Sequence, residues 1–315
     1  MKIKKAVLDY PFSDNLGDYI QSIAAASFMG ENPDFLDREQ LDRGAQTPTQ
    51  LLLNGWFMEN PKNWPPGPEI DPLFISFHMN PTVEKQMLNP KGIHYLQQHA
   101  PIGCRDHYTL RVLEKHQIPA YFSGCLTLSL EKNFFAPMPG APDEPYLFWC
   151  STLERLNPQN NPTSLTGKGL INAFKNPFRK RKYNRAVKAL AHFVEQTQLP
   201  NIRRSQIAPI AQFSKTQRLQ MAEEQLRWIA HARLVVTSRI HTALPAVAMG
   251  VPVVFVSDGL EHPNQFSRLE GLLELFYTCK AQELSQCDWQ AIQPTEQHLP
   301  WVENMQTKIS EFLKK

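Results

Sequence analysis

The stretch ARLVVTSRIHTALPAVAMGVPVVFVS, residues 232–257, decides the fold of this 315-residue chain. Its two ends, 234–236 and 253–256, are apolar runs without the alternation of a half-exposed strand, which is typical of parallel strands covered on both faces. The part between them predicts a helix with Thr242 as the N-cap, because Pro245 then lies in the first turn, where no backbone N–H is needed. The stretch therefore predicts a strand, a helix and a second, parallel strand.

The turn before this helix carries the polar sequence Ser-Arg-Ile-His. On this interpretation Arg239 and His241 lie at the carboxyl end of a parallel strand, where open α/β sheets bind their ligands. A guanidinium, an imidazole and the free N–H groups of a helix start favour a small anion. The alternative is structural: Arg239 pairs with a nearby carboxylate, and His241 packs or caps the helix.

Length and composition indicate two α/β domains in an ordinary globular protein. We predict an N-terminal domain over 1–136, a proline-rich linker over 137–145 and a C-terminal domain over 146–315. Alternating strand and helix patterns predict that both domains are doubly wound. The formal net charge is only +3 and 42% of the residues are hydrophobic, so the overall balance does not indicate a nucleic-acid partner.

Cysteine usage and the apolar runs bear on the compartment. The five cysteines are odd in number, widely spaced and without a Cys-x-x-Cys pair, which favours a reducing environment. The only apolar run near the N-terminus, at 6–8, is far shorter than a signal-peptide core, and the longest one, at 243–256, is broken by proline and glycine. We expect a cytoplasmic protein without a membrane span.

Two further turns join a predicted strand to a predicted helix. A strand over 3–8 leads into Ser-Asp-Asn-Leu-Gly-Asp and a helix over 19–28, where Asn15 and Asp18 can cap the helix or bind a polar ligand. By residue type alone, capping is favoured. In the block 102–130, Arg105 precedes an amphipathic helix, and an ion pair with a nearby carboxylate and a ligand role are equally open.

A basic segment opens the second domain. No acidic residue occurs between Glu154 and Glu195, whereas lysines and arginines accumulate over 168–188. A solvated helix face is the favoured interpretation, and a surface for anionic lipid headgroups or an acidic glycan is the alternative. Nucleic acid is disfavoured because no zinc, helix-turn-helix or aromatic-interleaved motif accompanies the charge. Helices over 264–276 and 301–313 are expected to complete this domain.

The motifs NLGDYIQSIAA, the Arg-Asp block at 102–130 and TSRIHTALPAVAMGVPVV occur in this order, and together they resemble the polysaccharide pyruvyl transferase family. The resemblance implies a fold like that of the GT-B glycosyltransferases, with a cleft between two domains. It also implies transfer of the enolpyruvyl group of phosphoenolpyruvate to two sugar hydroxyls, giving a pyruvate ketal and phosphate.

The resemblance also implies roles for individual residues. His241 is the expected acid/base, Arg239 and Arg105 clamp the donor's anionic groups, and Asn15, Asp18 and Ser238 bind substrate. We expect no metal and no cofactor apart from the donor substrate. The acceptor is a sugar or glycan. Its linkage to a lipid stays open, as does peripheral contact with the inner membrane face.

One departure from the family pattern keeps two other functions open. The segment Cys125-Leu126-Thr127 occupies a position where many family members carry an acidic or prolyl dipeptide. A GT-B-type glycosyltransferase would use the same architecture with a nucleotide sugar and a carboxylate base. A non-catalytic glycan-binding protein would need neither donor.

Overall fold

The computed structural model of the protein describes residues 3–157 and 167–315, without the side chains of residues 56–57 and 167–176. It is an α/β protein with two sheets, and every strand pair in them is parallel. The first sheet has the order β2-β1-β3-β4-β5-β6. Its strands are β1 (Lys4–Asp9), β2 (Asp34–Asp37), β3 (Thr49–Phe57), β4 (Ile70–Met79), β5 (Ile102–Cys104) and β6 (Ala120–Phe122).

The second sheet has the order β11-β10-β9-β7-β8. Its strands are β7 (Leu147–Cys150), β8 (Asn201–Arg204), β9 (Leu234–Thr237), β10 (Val253–Val256) and β11 (Tyr277–Cys279). The two strands predicted from 232–257 are thus confirmed as parallel neighbours at the centre of this sheet. The α/β class is confirmed, whereas the GT-B layout and the domain boundaries stay predictions.

Nine α-helices occur within the described residues: α1 (Leu16–Ala26), α2 (Glu84–Met87), α3 (Pro90–Gln98), α4 (His107–Lys115), α5 (Gly167–Thr197), α6 (Lys215–Ala230), α7 (Ile240–Ala248), α8 (Pro263–Phe266) and α9 (Leu299–Leu313). In this described part of the chain, no helix has both the length and the apolar composition needed to cross a bilayer.

The start of α7 differs from the prediction. Arg239 is the N-cap residue, so His241 lies in the first turn and Pro245 lies inside the helix. Thr242 is not the N-cap, because its hydroxyl donates to Oε1 of Gln206 at 2.7 Å instead of accepting from the helix backbone. His241 is therefore held by helical backbone geometry and not by a loop.

Helices α1, α6 and α7 form a layer between the two sheets. On β9, Val235 packs into the large core that this layer shares with the first sheet. Its neighbours Leu234 and Val236 face a smaller core with Leu190 and Phe193 of α5. The alternation of strand side chains to opposite faces thus explains why β9 has no polar side: both of its faces are covered.

One C-terminal prediction was wrong and one was confirmed. The expected helix over 264–276 is interrupted, because Gly271 adopts φ +84°, and the chain then forms β11. The helix predicted over 301–313 is present as α9, and it packs against β4 of the first sheet. Gln50 Nε2 of β3 donates to the carbonyl of Phe312 in α9 at 2.9 Å.

Candidate functional site

A cavity of about 640 Å³ opens at the carboxyl ends of β1, β2 and β5 and at the start of α7. Four of the six predicted site residues line it: Asn15, Asp18, Arg105 and His241. These residues are distant in sequence and meet because each follows the end of a parallel strand, where open α/β sheets bind ligands.

The β1–α1 turn supplies Asn15 and Asp18. Asn15 is the N-cap of α1, as its residue type indicated, and its Oδ1 accepts from Gly17 N at 3.0 Å. Asp18 accepts a 2.5 Å hydrogen bond from Ser13 Oγ. Burial raises the pKa of the Asp18 carboxyl, and the guanidinium of Arg38 offsets only part of that effect. Asp18 therefore holds a proton to a higher pH than an ordinary aspartate.

Arg105 follows β5 and is almost completely buried, at 1% exposure. Its Nε lies 3.7 Å from Oδ2 of Asp106, which is too long for a hydrogen bond. None of its guanidinium nitrogens has a hydrogen-bond partner within the described residues. A buried charge without hydrogen bonds costs several kcal/mol, so this guanidinium is an unsatisfied donor group on the cavity wall.

Both oxygens of the Asp106 carboxylate beside Arg105 already accept hydrogen bonds. Its Oδ1 accepts from Thr109 N at 2.9 Å as the N-cap of α4, and its Oδ2 accepts from Nδ1 of His78 at 2.6 Å. Burial lowers the pKa of His78 to about 4, so this imidazole is neutral and donates a hydrogen bond to the carboxylate. Asp106 therefore orients Arg105 from a distance without neutralising it through hydrogen bonds.

His241 is 3% exposed, and its Nε2 has no hydrogen-bond partner in the described part of the chain. Its pKa is well below the ordinary value, mainly because the ring is buried and next because Arg105 and Arg268 are close. Arg239, two residues away in sequence, is only a minor cause. The free protein holds His241 as a neutral imidazole.

A buried polar network fixes the start of α7 against the β1–α1 turn. Gln206 Nε2 donates to Asn15 Oδ1 at 2.8 Å, and Gln206 Oε1 accepts from the hydroxyl of Thr242. Gly17 allows this approach, because a Cβ there would lie 2.4 Å from Gln206 Nε2 and 2.9 Å from Nδ1 of His241. Gly17 and Gln206 are therefore positioning residues for His241.

Arg239 and Ser238 do not line the cavity. Arg239 Nη2 donates to Oε2 of Glu154 at 2.6 Å, in an ion pair that is mostly buried. Ser238 Oγ donates to the carbonyl of Val256 at 2.6 Å and so ties β9 to β10. The alternative that Arg239 pairs with a carboxylate therefore describes the structure, and the ligand roles of both residues stay predictions.

The chain matches the polysaccharide pyruvyl transferase family over residues 15–259, which is more than three quarters of its length. The protein belongs to this family. A solved structure of a functionally uncharacterized protein from Klebsiella pneumoniae subsp. pneumoniae NTUH-K2044 is similar over 88% of this chain and 92% of that chain, at 10% sequence identity and a TM-score of 0.46. Comparison with curated proteins finds no match.

Several residues of the cavity wall were missed from the sequence, among them Tyr10, Arg38 and Arg268. Tyr10 and Arg268 lie outside the family match at 15–259. Arg38 directly follows β2, whose sequence Asp-Phe-Leu-Asp has too few apolar residues to mark a strand. Arg268 lies in the segment predicted as one long helix, which obscured its position. Among the described residues, no group of three or more His, Cys, Asp or Glu side chains could hold a metal ion.

Proposed function

We propose that the protein transfers the enolpyruvyl group of phosphoenolpyruvate to two hydroxyls of a sugar, forming a pyruvate ketal and releasing phosphate. Family membership indicates pyruvyl transfer in polysaccharide synthesis. The single observation that carries the choice of donor is the buried guanidinium of Arg105, whose nitrogens lack hydrogen-bond partners in the described structure and which shares the cavity with His241. A small polyanion would supply those partners.

The donor carries a phosphate and a carboxylate, so it needs two cationic groups. Arg105 and Arg268 both line the cavity and both lower the pKa of His241 after the larger effect of burial, which means that they lie near its ring. Arg239 would have to leave Glu154 to reach the same donor. We therefore assign the anion clamp to Arg105 and Arg268, with the predicted role of Arg239 as the less favoured arrangement.

The reaction needs one proton at the donor's methylene carbon. Protonation makes that carbon a methyl group and leaves an oxocarbenium-like centre, which the first sugar hydroxyl attacks as it loses its own proton. The second hydroxyl replaces the phosphate, which leaves with its bridging oxygen, and the proton of that hydroxyl ends on phosphate. Two C–O bonds form, one C–O bond breaks, and no redox partner or metal is needed for the balance.

His241 is the proposed proton carrier. It is neutral in the free protein, and a bound phosphate dianion would raise its pKa, so the acid form would arise mainly in the donor complex. Asp18, with its raised pKa, is a second group on the cavity wall that can hold a proton at a higher pH than usual. Its proposed role is to bind the acceptor hydroxyl and to take the proton released by it.

The exposed face of α5 supports peripheral contact with an anionic membrane and a lipid-linked acceptor in the cytoplasm. Residues 177–182 are exposed and include four consecutive basic side chains. Phe178, beside them, is 76% exposed. Basic side chains next to an exposed aromatic ring suit a lipid headgroup layer better than a purely solvated face. The predicted basic residues Lys168 and Lys175 lie outside the described side chains.

The donor is tested by incubating the purified protein with phosphoenolpyruvate and a library of sugar and glycan acceptors. We expect phosphate release that depends on the acceptor, together with a product whose mass has risen by one pyruvate ketal. Nucleotide sugars serve as the comparison. Transfer from a nucleotide sugar without any use of phosphoenolpyruvate would show a glycosyltransferase, and stabilisation by bare glycans alone would show a binding protein.

Membrane contact is tested by flotation with vesicles of phosphatidylcholine and phosphatidylglycerol. We expect binding at low salt that fades as salt rises, and weaker binding after neutral substitution of Arg179, Lys180, Arg181 and Lys182. Turnover of a soluble acceptor should be unchanged in that variant, because none of these residues lines the cavity. If the unmodified protein and the variant floated equally with the vesicles, this face of α5 would not bind the membrane and would be a solvated helix surface.

A further inference from the structure

Tyr10 is a buried polar residue on the cavity wall for which the donor reaction above has no use. It is 3% exposed, and its hydroxyl has no hydrogen-bond partner within the described chain. Its backbone is fixed on both sides, since its N–H donates to Asp9 Oδ1 at 2.8 Å and its carbonyl accepts from the Tyr19 hydroxyl at 2.8 Å. A buried hydroxyl left without a partner is expensive, so a ligand hydroxyl is the group that this position lacks.

The side chains around Tyr10 are mainly acidic. Asp9, Asp37 and Glu59 line the same cavity, and each lies at or just after the end of β1, β2 or β3. Asp9 uses Oδ1 for the Tyr10 N–H, so its Oδ2 can accept from a ligand, whereas both oxygens of Asp37 already accept one bond each, from Glu39 N and Gln40 Nε2. Phe12 also lines the cavity and is 80% exposed. Carboxylates accept hydrogen bonds from sugar hydroxyls, and an exposed aromatic ring covers the apolar face of a sugar.

Among the described residues that line this end, the cation is Arg38, and it pairs with Glu39. Arg38 Nε donates to Oε1 of Glu39 at 2.6 Å, and its guanidinium lies over the Tyr10 ring at 5.0 Å. The carboxylate of Glu39 also accepts from the backbone N–H groups of Glu59 at 3.2 Å and Asn60 at 2.6 Å, so it fixes the rim of the cavity. The pair therefore shapes this end and leaves an excess of negative charge there.

The acidic end is separate from the proposed donor end. In the sheet order, β1 and β5 are three strand positions apart, which is roughly 14 Å at the usual strand spacing. Arg105 follows β5, whereas Asp9 and Tyr10 come at the end of β1. The groups that most affect the imidazole of His241, after its burial, are cationic, whereas the charge that acts most on Tyr10 after burial is Arg38; Arg105 acts on both residues, more strongly in rank on His241.

We infer that the end of the cavity formed by Asp9, Tyr10, Phe12, Asp37 and Glu59 is the acceptor subsite, and that it selects an uncharged sugar and rejects uronates. This rests on the proposed function, because the opposite end is reserved for the anionic donor. The Tyr10 hydroxyl and the carboxylates bind sugar hydroxyls. A sugar carboxylate would face those same groups, and Arg38, the cation beside them, already pairs with Glu39, which is how a site excludes a near relative of its substrate.

The sugar preference is measured first without any donor. Saturation-transfer NMR on the full chain compares the methyl glycosides of galactose, glucose and mannose with the methyl glycosides of the corresponding uronates. We expect at least one neutral glycoside to bind at least tenfold more tightly than its uronate. Equal or tighter binding of the uronates, or no binding of any neutral glycoside, would overturn the inference. Phosphoenolpyruvate binding, measured by calorimetry, reports separately on the proposed function.

Two substitutions test whether the preference for neutral sugars depends on Tyr10 and Glu59. Tyr10→Phe removes only a hydroxyl without a partner, so the protein should fold with an unchanged or slightly higher melting temperature while neutral-sugar affinity falls about three- to tenfold. Glu59→Gln should reduce the ratio of the uronate Kd to the neutral-sugar Kd at least threefold. Tyr121→Phe is the matched control, because its buried hydroxyl also lacks a partner in the described chain but lies outside the cavity. Neutral-sugar binding that Tyr10→Phe leaves unchanged, or that Tyr121→Phe lowers equally, would remove Tyr10 from the subsite.

Discussion

Replacing Arg105 with methionine should make the donor complex much weaker while changing the stability of the free protein little. Methionine fills the space of the arginine stem but removes a charge that is 1% exposed and has no hydrogen-bond partner in the described structure. Asp106 keeps its hydrogen bonds to His78 and to Thr109, but it loses the cation that lies 3.7 Å from it. Removing the buried guanidinium and breaking this ion pair act in opposite directions, so we expect a change of no more than about 1 kcal/mol in the free energy of unfolding, or roughly 2 °C in melting temperature.

The same change should abolish tight donor binding. Two charge-assisted hydrogen bonds from a guanidinium to phosphate or carboxylate contribute at least about 3 kcal/mol, so the Kd for phosphoenolpyruvate should rise by a factor of about 150 or more. Calorimetry of donor binding and thermal unfolding, both on one preparation, measure the two effects. A variant that is less stable and binds phosphoenolpyruvate normally would refute the reasoning, since Arg105 would then be a structural residue.

Arg239→Met is the matched control for charge. It also removes one guanidinium, but this one is paired with Glu154 at 2.6 Å and lies outside the cavity. We expect a loss of roughly 1–3 kcal/mol in stability and less than a twofold change in donor Kd. Burial raises the pKa of Glu154, but bonds from Arg239 and Ser205 outweigh it and hold that pKa below the ordinary 4.5. The stability difference between the two proteins should therefore be fully present above pH 4.5 and decrease as the pH falls below that value.

Three further expectations concern the site. Gly17→Ala would bring a Cβ to 2.4 Å from Gln206 Nε2 and 2.9 Å from the His241 ring; we expect turnover to fall at least tenfold, and normal kinetics would show that His241 needs no fixed position. His241→Gln should lower turnover by roughly 100-fold or more with little change in donor Kd, whereas a lower melting temperature with normal turnover would indicate a packing role. Folding holds the pKa of His78 and His241 below 6.5, so the free energy of unfolding should fall as the pH drops below about 6.5. The slope should be about 1.4 kcal/mol per pH unit for each proton taken up on unfolding. If urea unfolding gave the same free energy across this pH range, neither histidine would be neutral in the folded protein because of its burial.

The local pattern of apolar and polar residues was enough to predict the central strands and part of the candidate site. The unbroken apolar runs that became β9 and β10 predicted buried parallel strands, because only strands covered on both faces lack polar alternation. The same rule predicted that Asn15, Asp18, Arg105 and His241 follow strand ends, and the fold brings all four to one cavity. Their motifs also sufficed for the family.

Where the sequence pattern gave a wrong or incomplete prediction, contacts with residues remote in sequence determined the structure. Thr242 has the residue type of an N-cap, yet its hydroxyl bonds to Gln206, which lies 36 positions earlier in the chain. Helix α9 has an amphipathic sequence, which predicts that one of its faces is buried but does not predict which sheet covers that face. In the structure, α9 packs against β4 of the first sheet.

The sequence alone determined that an arginine and a histidine stand at a strand–helix junction, but tertiary structure decided which arginine remains available for an anion. Arg239 and Arg105 have the same chemistry and similar local settings. Glu154, which is 85 residues from Arg239 in the chain, accepts a 2.6 Å hydrogen bond from it, whereas the carboxylate next to Arg105 already accepts hydrogen bonds from His78 and Thr109. The protonation state and the unused hydrogen-bonding groups of a buried side chain depend on the residues that folding places against it. Spacing along the chain does not specify those residues.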